Sequence, residues 1–159
     1  MAMSLIAFAQ ALQNSAPGQL LRDASPATVL IIQIGHVLGL ILLLTSLVLV
    51  NLRLFGKGLA AQSLAEVVRA TRWATRTGLL LTVTSGSALF LSAPQHYATN
   101  SAFVPKMVLL APALLIQATL YRNVTRQAAP RPLLARGTAV VSLTLWFSVG
   151  LAGRAIGFV

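Results

Sequence analysis

Residues 27–52 read ATVLIIQIGHVLGLILLLTSLVLVNL and contain no charged side chain. A bilayer core about 30 Å thick takes roughly 20 apolar residues in a helix. A longer run than that predicts a transmembrane helix, because in lipid a helix satisfies its own backbone hydrogen bonds. Nothing else in the chain narrows the possible folds as much. One ionisable residue interrupts the run, His36. At that depth an imidazole is expected to face a bundle interior, a cavity or a cofactor.

Three further apolar runs follow, at about 73–92, 102–121 and 137–159. Only 9% of the residues are charged, against about 25% in soluble domains. The expected fold is therefore an all-α membrane protein, with four transmembrane helices in a bundle. Residues 1–26 form a separate segment. Leu5, Ile6, Phe8, Ala9 and Leu12 stand at helical spacing in a stretch too short to span. They predict a short amphipathic helix lying in the membrane interface, broken at Ala16-Pro17-Gly18.

The ends of the first span carry their own signals. Ser25 is placed to cap it, with Pro26 at the first helical position. Arg53, Gly56, Lys57 and Gly58 stop it, cations lying at the carboxyl end of a helix. The connection from Leu59 through Arg72 is expected to be interfacial and partly helical. In the second span, Thr82-Val83-Thr84-Ser85-Gly86-Ser87 is a run of small polar residues, read as a close-packing segment. Pro112 removes a backbone donor and is expected to kink the third span. Gly153 and Gly157 lie four apart in the fourth, a spacing that lets helices approach.

The formal charge is +10, with 12 Lys and Arg against two acids. Such a balance in a soluble protein points to nucleic acid, but no soluble basic-and-aromatic module is present, and no nucleic acid is expected. Nine of the cations, Arg53, Lys57, Arg69, Arg72, Arg76, Arg122, Arg126, Arg131 and Arg136, flank the first and third connections. The positive-inside rule places both connections in the cytoplasm of a bacterial inner membrane and both termini in the periplasm. There is no cysteine, which excludes disulfides, thiolate metal sites and covalent haem attachment.

This orientation gathers the remaining ionisable groups toward the outer leaflet. His36 lies about 14 Å below the outer start of its span, and Lys106 and Arg154 each roughly 6 Å below theirs. His96, Tyr97 and Asn100 occupy the loop above. Together these six residues form a candidate cofactor site opening outward. Asp23 and Glu66 lie outside the spans, which excludes a carboxylate proton relay and a nucleophilic triad, and nothing makes the chain an enzyme on its own. Three readings remain. His36 ligates the iron of haem b, with Lys106 and Arg154 on its propionates and His96 or Met107 as a second ligand. A quinone headgroup accepts hydrogen bonds from His36 and Lys106. In the third, His36 hydrogen-bonds a serine or threonine of the second span, and the protein is an accessory or anchoring subunit of a larger membrane complex. The lead function is a membrane subunit serving electron transfer; its partners are the bilayer and other membrane subunits or further copies of itself.

Several short motifs, taken in order, resemble a family of small uncharacterised four-helix bacterial inner-membrane proteins. They are His36-Val-Leu-Gly39, Asn51-Leu-Arg53-Leu-Phe-Gly56, Thr84-Ser-Gly86, Tyr97-Ala-Thr-Asn100-Ser-Ala-Phe103-Val-Pro-Lys106 and Gly153-Arg154. The sequence departs from that pattern at Asn51, where the family tends to carry aspartate, and at the additional Ser85. The resemblance implies the four-span topology. A more distant similarity, at the level of fold alone, is to haem-binding and copper-resistance four-helix membrane proteins.

Overall fold

The computed structural model describes residues 2–56, 58–59, 61–127 and 130–159, with side chains from residue 6 onward. Lys57 and the side chain of Leu5 lie outside the described residues. Among the described residues the regular structure is all helical, with no strand. The helices are α1 (Ala2–Gln13), α2 (Ala16–Arg22), α3 (Pro26–Phe55), α4 (Leu64–Ser92), α5 (Pro94–Thr99), α6 (Phe103–Ile116), α7 (Arg122–Thr125) and α8 (Pro132–Ala155), with a π-helical turn at Gln117–Tyr121 joining α6 to α7. Among the described residues, three helices are long and apolar enough to cross a membrane: Pro26–Phe55, Phe103–Thr125 and Pro132–Ala155. Arg76 and a run of hydroxyls dilute the apolar stretch of α4, so α4 stands apart from these three.

The caps set the helix ends. Ser25 accepts from the Thr28 N–H at 3.2 Å, with Pro26 in the first turn of α3. Gly56 closes α3 at φ 73°, a left-handed conformation that costs glycine little. The start of α4 differs from expectation. Ser63 and Glu66 form a reciprocal capping box: the Glu66 N–H donates to Ser63 Oγ at 3.2 Å, and the Ser63 N–H donates to Glu66 Oε2 at 2.6 Å. Helix therefore begins at Leu64, and the segment expected as a connection up to Arg72 is the first part of α4. The break between the two amino-terminal helices falls at Asn14-Ser15, just ahead of the expected Ala16-Pro17-Gly18. That stretch is itself helical. It opens α2, because proline is tolerated in a first turn and Ser15 accepts from the Gly18 N–H.

Packing is organised around α3 and α8. The most extensive contact is the antiparallel α3–α4 pair, followed by α6–α8 and α3–α8. The seam between α3 and α4 is nearly backbone on backbone. A Cβ on Gly39 would come 2.8 Å from the Thr82 nitrogen, and one on Gly78 would come 2.6 Å from the Leu43 nitrogen. Leu43, Leu47, Val50, Ala139, Trp146 and Val149 fill the interior between α3 and α8. The opposite face of α3, from Leu30 and Ile34 to Val37 and Ile41, is exposed and apolar but for Gln33. A soluble domain does not leave such a continuous face open; a helix bordering lipid does.

Within the long helices, hydroxyls bond back to their own backbone. Ser46 donates to the Leu42 carbonyl at 2.5 Å, Thr71 to Val67 at 2.9 Å and Thr138 to Leu134 at 2.8 Å. α6 runs through Pro112 without ending, and the irregularity falls further on, in the π turn. Gly157 lies beyond the end of α8, so it does not share a helical face with Gly153.

Candidate functional site

His36 sits about 15 Å along α3 from Pro26. It faces α4, where the small polar segment forms its seat. His36 Nδ1 lies 3.1 Å from Ser85 Oγ. A Cβ on Gly86 would come 3.0 Å from His36 Cε1 and 3.3 Å from Nδ1. Glycine at that position is what leaves room for the ring.

The hydroxyl of Ser85 also touches the carbonyl of Leu81, and this is its shorter contact. A serine has one hydrogen to give and lone pairs to accept with. With that hydrogen directed to Leu81, Ser85 accepts from the Nδ1–H of His36. The neutral imidazole then carries its hydrogen on Nδ1, and Nε2 keeps a free lone pair. This assignment follows from counting hydrogens around Ser85. One turn away, the buried hydroxyl of Thr82 has no hydrogen-bond partner among the described residues.

Lys106 is the second member of the site. It is half-buried on α6, and its Cε and Nζ would each lie 3.4 Å from a Cβ on Gly153 of α8. Its charge reaches His36 electrostatically. The two carboxylates of the chain are elsewhere: Asp23 pairs with Arg22 at 3.3 Å, and Glu66 is held in the α4 cap.

The other expected members go different ways. Arg154 is exposed, and its guanidinium lies 4.0 Å from the centre of the Phe158 ring, one helical turn further on. Its placement therefore departs from the expected pocket, because the aromatic ring offers the cation an outward partner. His96 is exposed on α5 and meets Tyr97 edge-on at 5.6 Å; no hydrogen bond or stacking joins it to His36. Tyr97 packs with Phe90 and Phe103, with Phe103 at 5.5 Å, and burial in this aromatic cluster pushes its phenol pKa up. Asn100 is buried as a clamp. Its amide donates to the carbonyls of Ile156 at 3.1 Å and Val159 at 2.7 Å and accepts from the Ala102 N–H at 3.0 Å. Met107, the alternative second haem ligand, is 45% exposed. The structure thus brings His36 near Lys106 and adds Ser85 and Gly86, while His96, Tyr97, Asn100 and Arg154 serve packing and the surface.

Sequence reasoning marked one further polar group, Asn51, as a departure from the family pattern but gave it no place in the site. Asn51 is 0% exposed, donates to the Leu47 carbonyl at 2.8 Å and reaches Ser142 Oγ at 3.5 Å, and its Oδ1 has no partner among the described residues. Among those residues, no three His, Cys, Asp or Glu side chains group as a metal site.

Residues 25–159 match the family of unknown function DUF6644. The chain belongs to that family. The DUF6644 segment opens at Ser25, the cap of α3, and takes in every helix from α3 to α8, and with them His36, Ser85, Gly86 and Lys106. No curated protein and no solved structure matches the chain.

Proposed function

We propose that this DUF6644 protein is a four-span subunit of the bacterial inner membrane, with periplasmic termini, that serves electron transfer by holding haem b or a quinone-type headgroup at His36. In this arrangement α4 is the fourth span, closing a bundle with α3, α6–α7 and α8, and residues 1–26 lie at the outer interface. The observation that carries the reading is the committed Nδ1 of His36. A histidine that ligates a metal gives its other N–H to a fixed acceptor, which sets the tautomer and the ring orientation. Ser85 supplies that acceptor here, and Lys106 supplies a positive charge nearby for a propionate or an oxygen.

The tautomer also sharpens the ligand. A neutral His36 offers a lone pair at Nε2, so its partner is an iron or a hydroxyl hydrogen, as in a quinol. An oxidised quinone carbonyl would take its hydrogen bond from Lys106 instead. With Met107 and His96 both outward, a haem here rests on His36 alone among the residues considered. Haem would supply one-electron chemistry when bound; the chain would supply orientation through Ser85 and charge through Lys106.

A second reading, an accessory or anchoring subunit of a larger membrane complex, draws on the same bond. His36 to Ser85 ties α3 to α4 whether or not a ligand binds. A reduced-minus-oxidised absorption spectrum of the purified protein separates the two. Soret and α bands lost in His36→Ala support haem. A flat spectrum with quinol retention lost in His36→Ala supports the quinone-type ligand. If His36→Ala changes neither, and mild-detergent purification brings down larger partners, the accessory reading stands.

A further inference from the structure

The antiparallel register of α3 and α4 can be followed along the seam. His36 lies beside Ser85, Gly39 beside Thr82 and Leu43 beside Gly78, and Leu49 shares a crevice with Ala70 and Thr71. Continued on that register, Arg76 stands level with Thr45, Arg72 with Leu49 and Arg69 with Leu52. On α3 the first cation past the apolar run is Arg53. Arg76 therefore lies about 12 Å closer to the midplane than Arg53 does. On α8, Ser142 meets Asn51, and Arg136 lies further toward the start of the helix. The inner-end arginines of the neighbouring helices thus form a rim, and α4 alone carries a stripe of them inward of it.

That stripe faces outward. Arg69, Arg72, Trp73 and Arg76 share one helical face by their three- and four-residue spacing, and all four are exposed, Trp73 by 70%. Glu66 stands beside Arg69 but is engaged by Ser63. Arg72 and Arg76 make no salt bridge among the described residues. An exposed arginine at membrane depth is costly unless it finds a counter-charge or the headgroup layer. Side chains lean toward the start of their helix, which for α4 is the arginine-rich end, so both guanidinium groups can extend toward the inner headgroups. Tryptophan is enriched at that same level.

We propose that this face of α4 is a binding site for an anionic phospholipid, with Arg72 and Arg76 gripping the headgroup phosphate and Trp73 lying along the acyl boundary. Guanidinium groups suit phosphate oxygens by their paired, planar donors. A second copy of the chain fits poorly, because it would bring more cations and no free carboxylate. The inference rests on the four-span orientation above and is independent of any ligand at His36.

Native mass spectrometry in mild detergent, with added phosphatidylglycerol or phosphatidylcholine, tests it. The wild type retains phosphatidylglycerol and gains Tm from it, and phosphatidylcholine does neither. The Arg72→Gln/Arg76→Gln protein retains it roughly 30-fold less well, at about fivefold per arginine. The Arg126→Gln/Arg131→Gln protein, with the same loss of charge on the other connection, keeps wild-type retention. Equal retention by the two double variants, or equal effects of the two lipids, overturns the proposal. So does unchanged lipid retention with loss of a co-purifying acidic protein. Should the double variant not fold, Arg72→Lys serves in its place. It keeps the charge but loses the fork, and it is expected to bind phosphatidylglycerol measurably more weakly; wild-type binding by that variant overturns the proposal. The His36 spectrum is unaffected in every arm, which separates this result from the fate of the electron-transfer reading.

Discussion

The two seams of α3 are built on opposite rules. Toward α4, in the half that holds His36, glycines bring the backbones together, and the one large polar ring is seated on Gly86 with an acceptor ready for one of its nitrogens. Toward α8, in the half that holds Asn51, bulky side chains separate the helices, and the buried amide turns back to its own Leu47 carbonyl while one oxygen goes unpaired. The first seam fixes a group and leaves its working edge free. The second absorbs a polar group into packing. The contrast lies in what surrounds each polar side chain: His36 meets a glycine seam and an acceptor on the neighbouring helix, Asn51 an acceptor in its own helix.

The sharpest break of this contrast is steric. Gly78→Val places its Cβ against the Leu43 backbone, where no flexible side chain can yield. We expect a loss of about 3 kcal/mol or outright failure to fold, read by thermal unfolding in detergent. The second test targets the other seam. Asn51→Ala should cost about 1–3 kcal/mol by stranding its partners and leaving a cavity, whereas Asn51→Leu, which strands the same partners but fills the space, should cost less than about 1 kcal/mol. If the two variants are equally unstable, Asn51 does more than pack. The third returns to the histidine. Ser85→Ala should lower stability by only about 1 kcal/mol while letting the His36 hydrogen distribute over both ring nitrogens, visible in nitrogen-15 spectra of the imidazole. An unchanged tautomer would show that Ser85 does not set it.

The smallest effect lies at the α4 cap, outside both seams. The Ser63 backbone N–H and then its hydroxyl hold the Glu66 carboxyl below the usual range, with the Arg69 charge adding to them. A group whose folded pKa is lowered stabilises the fold at neutral pH, and that contribution fades as pH falls through the folded value. Protection of the amides at residues 64–67, taken relative to intrinsic exchange at each pH, should therefore fall in acid below the ordinary glutamate range, and Glu66→Gln should flatten that response.

Much of this architecture is written in residue chemistry. Ser25-Pro26 and Gly56 mark the ends of α3, and the uncharged run between them could hardly be another structure. The early start of α4 was also legible, since Ser63-Leu64-Ala65-Glu66 has capping-box spacing; the arginines that follow disguised the helix as a connection. Among the site residues, His36 and Lys106 stand out by charge at depth. Arg154 does too, but Phe158 four residues on gives it an alternative that spacing alone suggests. What no reading of the sequence supplies is the pairing of His36 with Ser85 in particular. Three hydroxyls lie within one turn of α4, and only the register of the two helices selects one.

The π turn at Gln117–Tyr121 has a consequence for how this chain tolerates change in length. About seven residues make two α-helical turns, yet the buried Ala113 and Tyr121 lie one residue further apart than that. The wide turn takes up the surplus, as such bulges do. Deleting Ala118 should tighten the turn to an ordinary helix and still leave both residues facing α8. The same deletion in the middle of α3 would swing half of that helix out of phase with its neighbours.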